Sequence, residues 1–83
     1  MREGRCEFTL HALEEMEDDG LEEADVMAAL SHGWLARRLA DDPRGTRFAV
    51  RARLAGSSRR VEVVARFVPS GRLRIITAYR LED

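Results

Sequence analysis

Few side chains in this sequence can do chemistry: two histidines (His11 and His32), one cysteine (Cys6), one tyrosine (Tyr79), and fourteen arginines with no lysine among the cations. A lone cysteine forms no internal disulfide, and Cys6 with two histidines does not make a metal-ligand cluster of the usual spacing. No metal and no cofactor is therefore expected, and Cys6 reads as an inert small hydrophobe. What remains is acid, base and arginine chemistry; arginine forks onto phosphates, and cutting a phosphodiester without metal would need three such groups. A base takes a hydroxyl proton, a cation stabilises the charge growing on the phosphorane, and an acid protonates the leaving oxygen.

The candidates for those roles are His11 as base, Arg66 and Arg80 as the charge-stabilising pair, and Tyr79 as an acid or a stacking ring. His11 falls at the second position of an expected helix, where the helix dipole favours the neutral ring a base requires. A histidine there also serves as a plain capping or packing residue, and for His32, in the last turn of a second helix, capping is sufficient. Arg47, Arg51, Arg53 and Arg74 would extend an arginine surface suited to RNA phosphates, because a guanidinium forks onto phosphate oxygens and stacks on bases. The plainer reading of the same residues is a solvated sheet face. Trp34, directly after a helix-ending glycine, reads as a plug at the end of the core.

The elements that must position these residues follow from periodicity. Thr9 caps a helix over 10–19, with Phe8 and Leu13 at staple spacing, Leu10, Leu13 and Met16 as its stripe, and Gly20 as its stop. A second helix spans 23–32, from acids in its first turn to Gly33, and buries Val26, Met27 and Leu30. Beyond Gly33 the pattern alternates, giving strands at 34–40, 46–54, 60–68 and 72–80. Turns at Asp41–Gly45, Ala55–Ser58 and Pro69–Gly71 join them. The expected fold is one α+β domain over 1–83, with two N-terminal helices on one face of a four-stranded antiparallel meander.

Alternation places Phe48, Val50, Ala52, Leu54, Val61, Val63, Ala65 and Phe67 under the helices. The opposite face receives Arg47, Arg51, Arg53, Arg60, Glu62, Val64 and Arg66, with Arg74, Ile76, Ala78 and Arg80 from the last strand. Tyr79 then falls with Ile75 and Thr77, toward the core.

Charge divides the chain more sharply than its net −1 suggests. Residues 1–33 carry two arginines against ten acids, and residues 34–83 carry twelve arginines against five acids. Each part can present its own potential to a partner even though the sum is near zero. The start Met-Arg-Glu-Gly lacks the apolar stretch of a signal peptide, and no run approaches the roughly 20 apolar residues of a membrane span. A cytoplasmic protein with no membrane partner is expected.

The run Phe8-Thr9-Leu10-His11-Ala12, then Met16, Gly20-Leu21, the helix ending at Gly33, and the strands Val61–Arg66 and Ile75–Tyr79 resemble the bacterial domain of unknown function 4258. That resemblance implies a relation to small RNase toxins of the RelE and BrnT kind, with helices on one face of an antiparallel sheet and RNA on the other. It implies an endoribonuclease, acting on free RNA or on the ribosome and held inactive by a small antitoxin protein. The family pattern often carries arginine where this chain has Glu15 and Asp19, and acids there oppose phosphate binding. Two further readings stand beside the enzyme. One is a catalytically silent module binding an acidic protein partner, and the other is a homo-oligomer in which acidic and basic parts of neighbouring copies meet.

Overall fold

The structure is a computed structural model that describes residues 6–40, 46–54, 59–69 and 71–81. Its elements run β1 (Cys6–Phe8), α1 (Leu10–Asp19), α2 (Glu23–His32), β2 (Trp34–Ala40), β3 (Arg47–Arg53), β4 (Arg60–Phe67) and β5 (Leu73–Leu81). The strands form one five-stranded mixed sheet in the order β1-β5-β4-β3-β2. The antiparallel meander is thus β2 to β5, and the expected four-stranded sheet gains a parallel edge strand, β1, against β5. Three residues are too short a run for alternation to reveal a strand. The turns expected at 41–45 and 55–58 lie outside the described residues. In the third, Gly71 has φ +86° and the Val68 amide donates to the Arg72 carbonyl at 2.9 Å.

Local chemistry explains the helices. Thr9 Oγ1 accepts from the Ala12 amide at 3.1 Å, and Gly20 ends α1 at φ +70°. The expected stripe is not the buried side, because Leu10 and Leu13 are exposed while Ala12 and Met16 carry the buried side of α1. In α2, Val26 and Ala29 are buried, with Met27 and Leu30 half-buried. Glu22 and Asp25 close a reciprocal capping box at its start. Both helices cover the same face of the sheet, over a core of Ala12, Met16, Leu21, Val26, Ala29, Ala52, Leu54, Val61, Val63, Ala65, Leu73, Ile75 and Ala78. No helix among the described residues is long and apolar enough to cross a membrane.

Three irregularities set which side chains face away from the helices. In β5, Val64 lies opposite Thr77 and Ala65 opposite Ile75, so Ile76 is an extra, bulged residue. A bulge reverses the alternation beyond it. Leu73, Ile75 and Ala78 therefore share the core side, while Arg74, Thr77 and Tyr79 share the open one. This overturns four expected placements, since Thr77 and Tyr79 leave the core side while Ala78 and Arg80, opposite Val63 and Val61, move to the helical side. The bulge is pinned from β1 and α1. Thr9 Oγ1 donates to the Ile76 carbonyl at 3.0 Å, and the Thr9 amide donates to the Ile75 carbonyl at 3.1 Å. Two further register shifts, at Ala36 and Leu39, interrupt β2. The first brings Arg37 onto the open face beside Trp34.

Gly33 makes the passage from α2 into β2 without a connecting loop. A Cβ there would lie 2.5 Å from the carbonyl oxygens of Ala29 and Arg51 and 2.8 Å from Val50 Cγ1. Close backbone approach, rather than its φ of −82°, requires glycine. Gly33→Ala should therefore lower stability by roughly 1–3 kcal/mol through overpacking, measured as a reduced urea midpoint with an unchanged m-value. An unchanged midpoint would show that the junction yields without cost.

Candidate functional site on the open sheet face

The open face is ordered in rows across the strands. One row sets Trp34, Arg51, Glu62 and Tyr79 abreast on β2, β3, β4 and β5. Four residues along β3 and β4, about 13 Å away at strand rise, another row sets Arg47, Arg66 and Arg74 abreast, with Glu7 of β1 beside Arg74. Between them lie Ala49, Val64 and Thr77, with Arg37 opposite Ala49.

The first row holds a buried ion cluster. Glu62 is 0% exposed, although it stands on the face away from the helices. Arg51 Nε donates to its Oε1 at 2.7 Å, Arg37 Nη2 donates to its Oε2 at 2.9 Å, and the Tyr79 hydroxyl also donates to Oε2. Burial pushes the Glu62 carboxyl up, but the hydrogen bonds from Tyr79, Arg51 and Arg37 and the charge of Arg37 outweigh it and hold it below its ordinary value. The Tyr79 phenol moves the other way, raised by burial and then by its bond to the Glu62 carboxylate. Three donors converge on one carboxylate, so Arg51, although partly exposed, is already paired within the protein. The cue in the sequence is one acid in the run Arg60-Val61-Glu62-Val63, with arginines on the adjoining strand.

The second row is different. Its arginines stand side by side, where like charges repel. The Nε atoms of Arg47 and Arg66 are buried and have no hydrogen-bond partner among the described residues. Arg74 Nη2 lies 3.4 Å from Glu7 Oε1, and Arg72 Nη1 lies 4.0 Å from Glu7 Oε2. Glu7 escapes sequence reasoning because β1 does.

The expected catalytic group does not assemble. Arg66 lies opposite Arg74 rather than beside Arg80. Arg80 sits on the helical side at the far end of β5, where its amide donates to Asp19 Oδ2 at 2.7 Å. His11 is exposed on α1, across the sheet from the arginine rows. Its Nε2 lies 3.3 Å from Glu15 Oε1 without hydrogen-bond geometry. Tyr79 reaches the open face but is engaged by Glu62. Arg53 is exposed at the end of β3, opposite Arg60. Of the residues expected to contact RNA, Arg47 and Arg74 meet Arg66 in one row, Arg51 joins the Glu62 cluster, and Arg53 stands apart.

A model of the family described as a domain of unknown function, DUF4258, matches residues 8–80. The chain belongs to the DUF4258 family. Neither a curated protein nor a solved structure matches it. The DUF4258 match takes in both open-face rows apart from Glu7, together with the helical layer. Glu15 and Asp19, acids in this DUF4258 chain, both have structural partners, His11 and the Arg80 amide.

The Glu62 cluster fixes a pH dependence. A carboxyl held below its ordinary value favours the fold when ionised, so its contribution is full above the ordinary carboxylate range and is lost as pH falls through the lowered value. Glu62→Gln should reduce stability by about 1–3 kcal/mol at neutral pH by leaving donors unmatched. It should also flatten the acid limb of a plot of urea stability against pH. Tyr79, the one tyrosine, should ionise above its ordinary value of 10.0 in the wild type and shift back toward it in Glu62→Gln. An absorbance titration with identical curves for the two proteins would remove the cluster from the account.

Proposed function

We propose that this protein acts on RNA through its open sheet face, as an endoribonuclease of the RelE/BrnT-like toxin kind, with the Arg47–Arg66–Arg74 row as its phosphate site. The observation that carries this reading is the row itself, in which three arginines stand abreast and the buried Nε atoms of Arg47 and Arg66 have no hydrogen-bond partner among the described residues. Cations abreast are unfavourable alone, and a phosphate oxyanion placed over the row supplies the opposite charge and accepts from the terminal guanidinium nitrogens. Glu62 supports the assignment by contrast. Its one carboxylate engages Arg51 and Arg37 internally and halves their charge, which leaves the second row as the more strongly cationic part of the face.

The chemistry assigned to the row is metal-independent. Arg66 and Arg74 stabilise the charge that grows on the phosphorane as the 2′-oxygen attacks phosphorus and the bond to the 5′-oxygen breaks. Glu7, whose carboxylate lies next to Arg74, takes the 2′-hydroxyl proton, and solvent water gives the leaving 5′-oxygen its proton. His11, on the opposite side of the sheet, has no part in this scheme. A small antitoxin protein covering the arginine face is the implied regulator. The separation of His11 from Arg66 favours a second reading, a catalytically silent module that binds an acidic protein partner on the same face.

Cleavage and binding separate the two. The purified protein in excess chelator should cut single-stranded RNA to products ending in a cyclic phosphate. Arg66→Ala should reduce kcat/KM by about 100-fold or more, Glu7→Gln should reduce kcat, and His11→Ala should leave both unchanged. With about three phosphates neutralised, log affinity should fall against log salt with a slope of about −2. Tight RNA binding with no cleavage would retire the enzyme and leave the RNA surface. A chain that neither binds nor cleaves RNA, yet captures an acidic protein through Arg66, would establish the second reading.

A further inference from the structure

Trp34 is the only tryptophan in the chain and it is 55% exposed. An indole in a chain of this size is ordinarily buried against the core, so its exposure asks for an occupant. Its place in the sheet says which side that occupant approaches from. Trp34 lies directly opposite Arg51, and Arg51 turns its guanidinium to Glu62 on the open face, so the indole stands on that face as well. The location is built rather than accidental. Gly33 allows α2 to end against β3 with no intervening residue, and Trp34 is the first residue after that contact. The register shift at Ala36 then brings Arg37 to the same side.

The surroundings restrict the chemistry of the occupant. Beside the indole stand Arg51 and Arg37, both half-exposed and both held by Glu62, so this end of the face offers an aromatic plane where one carboxylate offsets half of the arginine charge. About 13 Å along the strands lies the Arg47–Arg66–Arg74 row, whose charge is not neutralised in the same way. A ligand that fits both is flat and weakly polar at one end and polyanionic at the other. A base and the phosphates of the same single strand meet that description, and duplex RNA does not, because its bases are already stacked.

Resting on the RNA reading above, we infer that Trp34 is a base-stacking platform that makes the open face selective for single strands, with the base on the indole and the backbone on the arginine row. Stacking on an aromatic side chain is tolerant of base identity, so the platform gives strand selectivity rather than a sequence code.

The sole tryptophan makes the test direct, since its emission reports on one site. Titration with octaadenylate should quench Trp34 fluorescence, and the matching duplex should neither quench it nor bind as tightly. Trp34→Ala should weaken octaadenylate binding about tenfold, and Trp34→Phe should restore most of the loss. An abasic strand of the same length should bind wild type and Trp34→Ala equally, through its phosphates alone. Wild-type affinity in Trp34→Ala, or an emission change that follows protein concentration instead of RNA, would overturn the platform while leaving the arginine row standing. Absence of binding to both octaadenylate and the abasic strand would overturn the RNA reading and the platform with it. Because the indole is exposed, its replacement leaves the core intact, and unchanged circular dichroism identifies a folded variant.

Discussion

The bond from Thr9 Oγ1 to the Ile76 carbonyl governs much of what this molecule presents to its surroundings. A bulged residue in a sheet leaves backbone groups without ladder partners, and a buried unpaired carbonyl is costly. Here the cap of α1 supplies the missing donor, while the same hydroxyl accepts from the Ala12 amide. One side chain thus ends β1, starts α1 and holds the irregularity of β5 in place. The parity of β5 beyond Ile76 follows from it, and with that parity Tyr79 meets Glu62 and Arg80 faces away.

Glu62 is the second consequence. A carboxylate at the centre of a cationic sheet face is surrounded by donors on two neighbouring strands, Arg51 and Tyr79, and by Arg37 from β2. Such a cluster ties four antiparallel strands together on the side that no helix covers. The small residues around it, buried Ala49 and Val64, are shielded by guanidinium stems rather than by a second layer of structure. A two-layer fold of this size has little apolar surface to spare, and charged side chains take over part of the covering role.

Much of this was legible in the residues and some was not, for definite reasons. Thr9, Gly20 and Gly33 bounded both helices because caps and stops act locally. Alternation in Phe48–Ala52 and Val61–Ala65 sorted β3 and β4 correctly, since each has one apolar parity, although Phe67 at the end of β4 is exposed. In Ile75-Ile76-Thr77-Ala78-Tyr79 both parities are apolar, so a one-residue bulge leaves no trace in the pattern and Tyr79 and Arg80 exchange faces. β1 was hidden because three residues carry no period. Leu10 and Leu13 misled because helical spacing marks a stripe without saying which side the sheet will take. The pairing of Glu62 with Arg51 and Tyr79 is long-range, and only the register of three strands reveals it.

The separation of charge in the chain becomes a separation in space, because the acids of α1 and α2 lie above one side of the sheet and Arg47, Arg66 and Arg74 lie on the other. A body with a net charge of −1 and oppositely signed sides is a dipole more than an ion. Beyond a Debye length of about 8 Å another charged molecule scarcely senses it. Closer in, the body experiences a torque that turns one of its two sides toward that charge, so orientation on encounter is settled before any side chain makes contact.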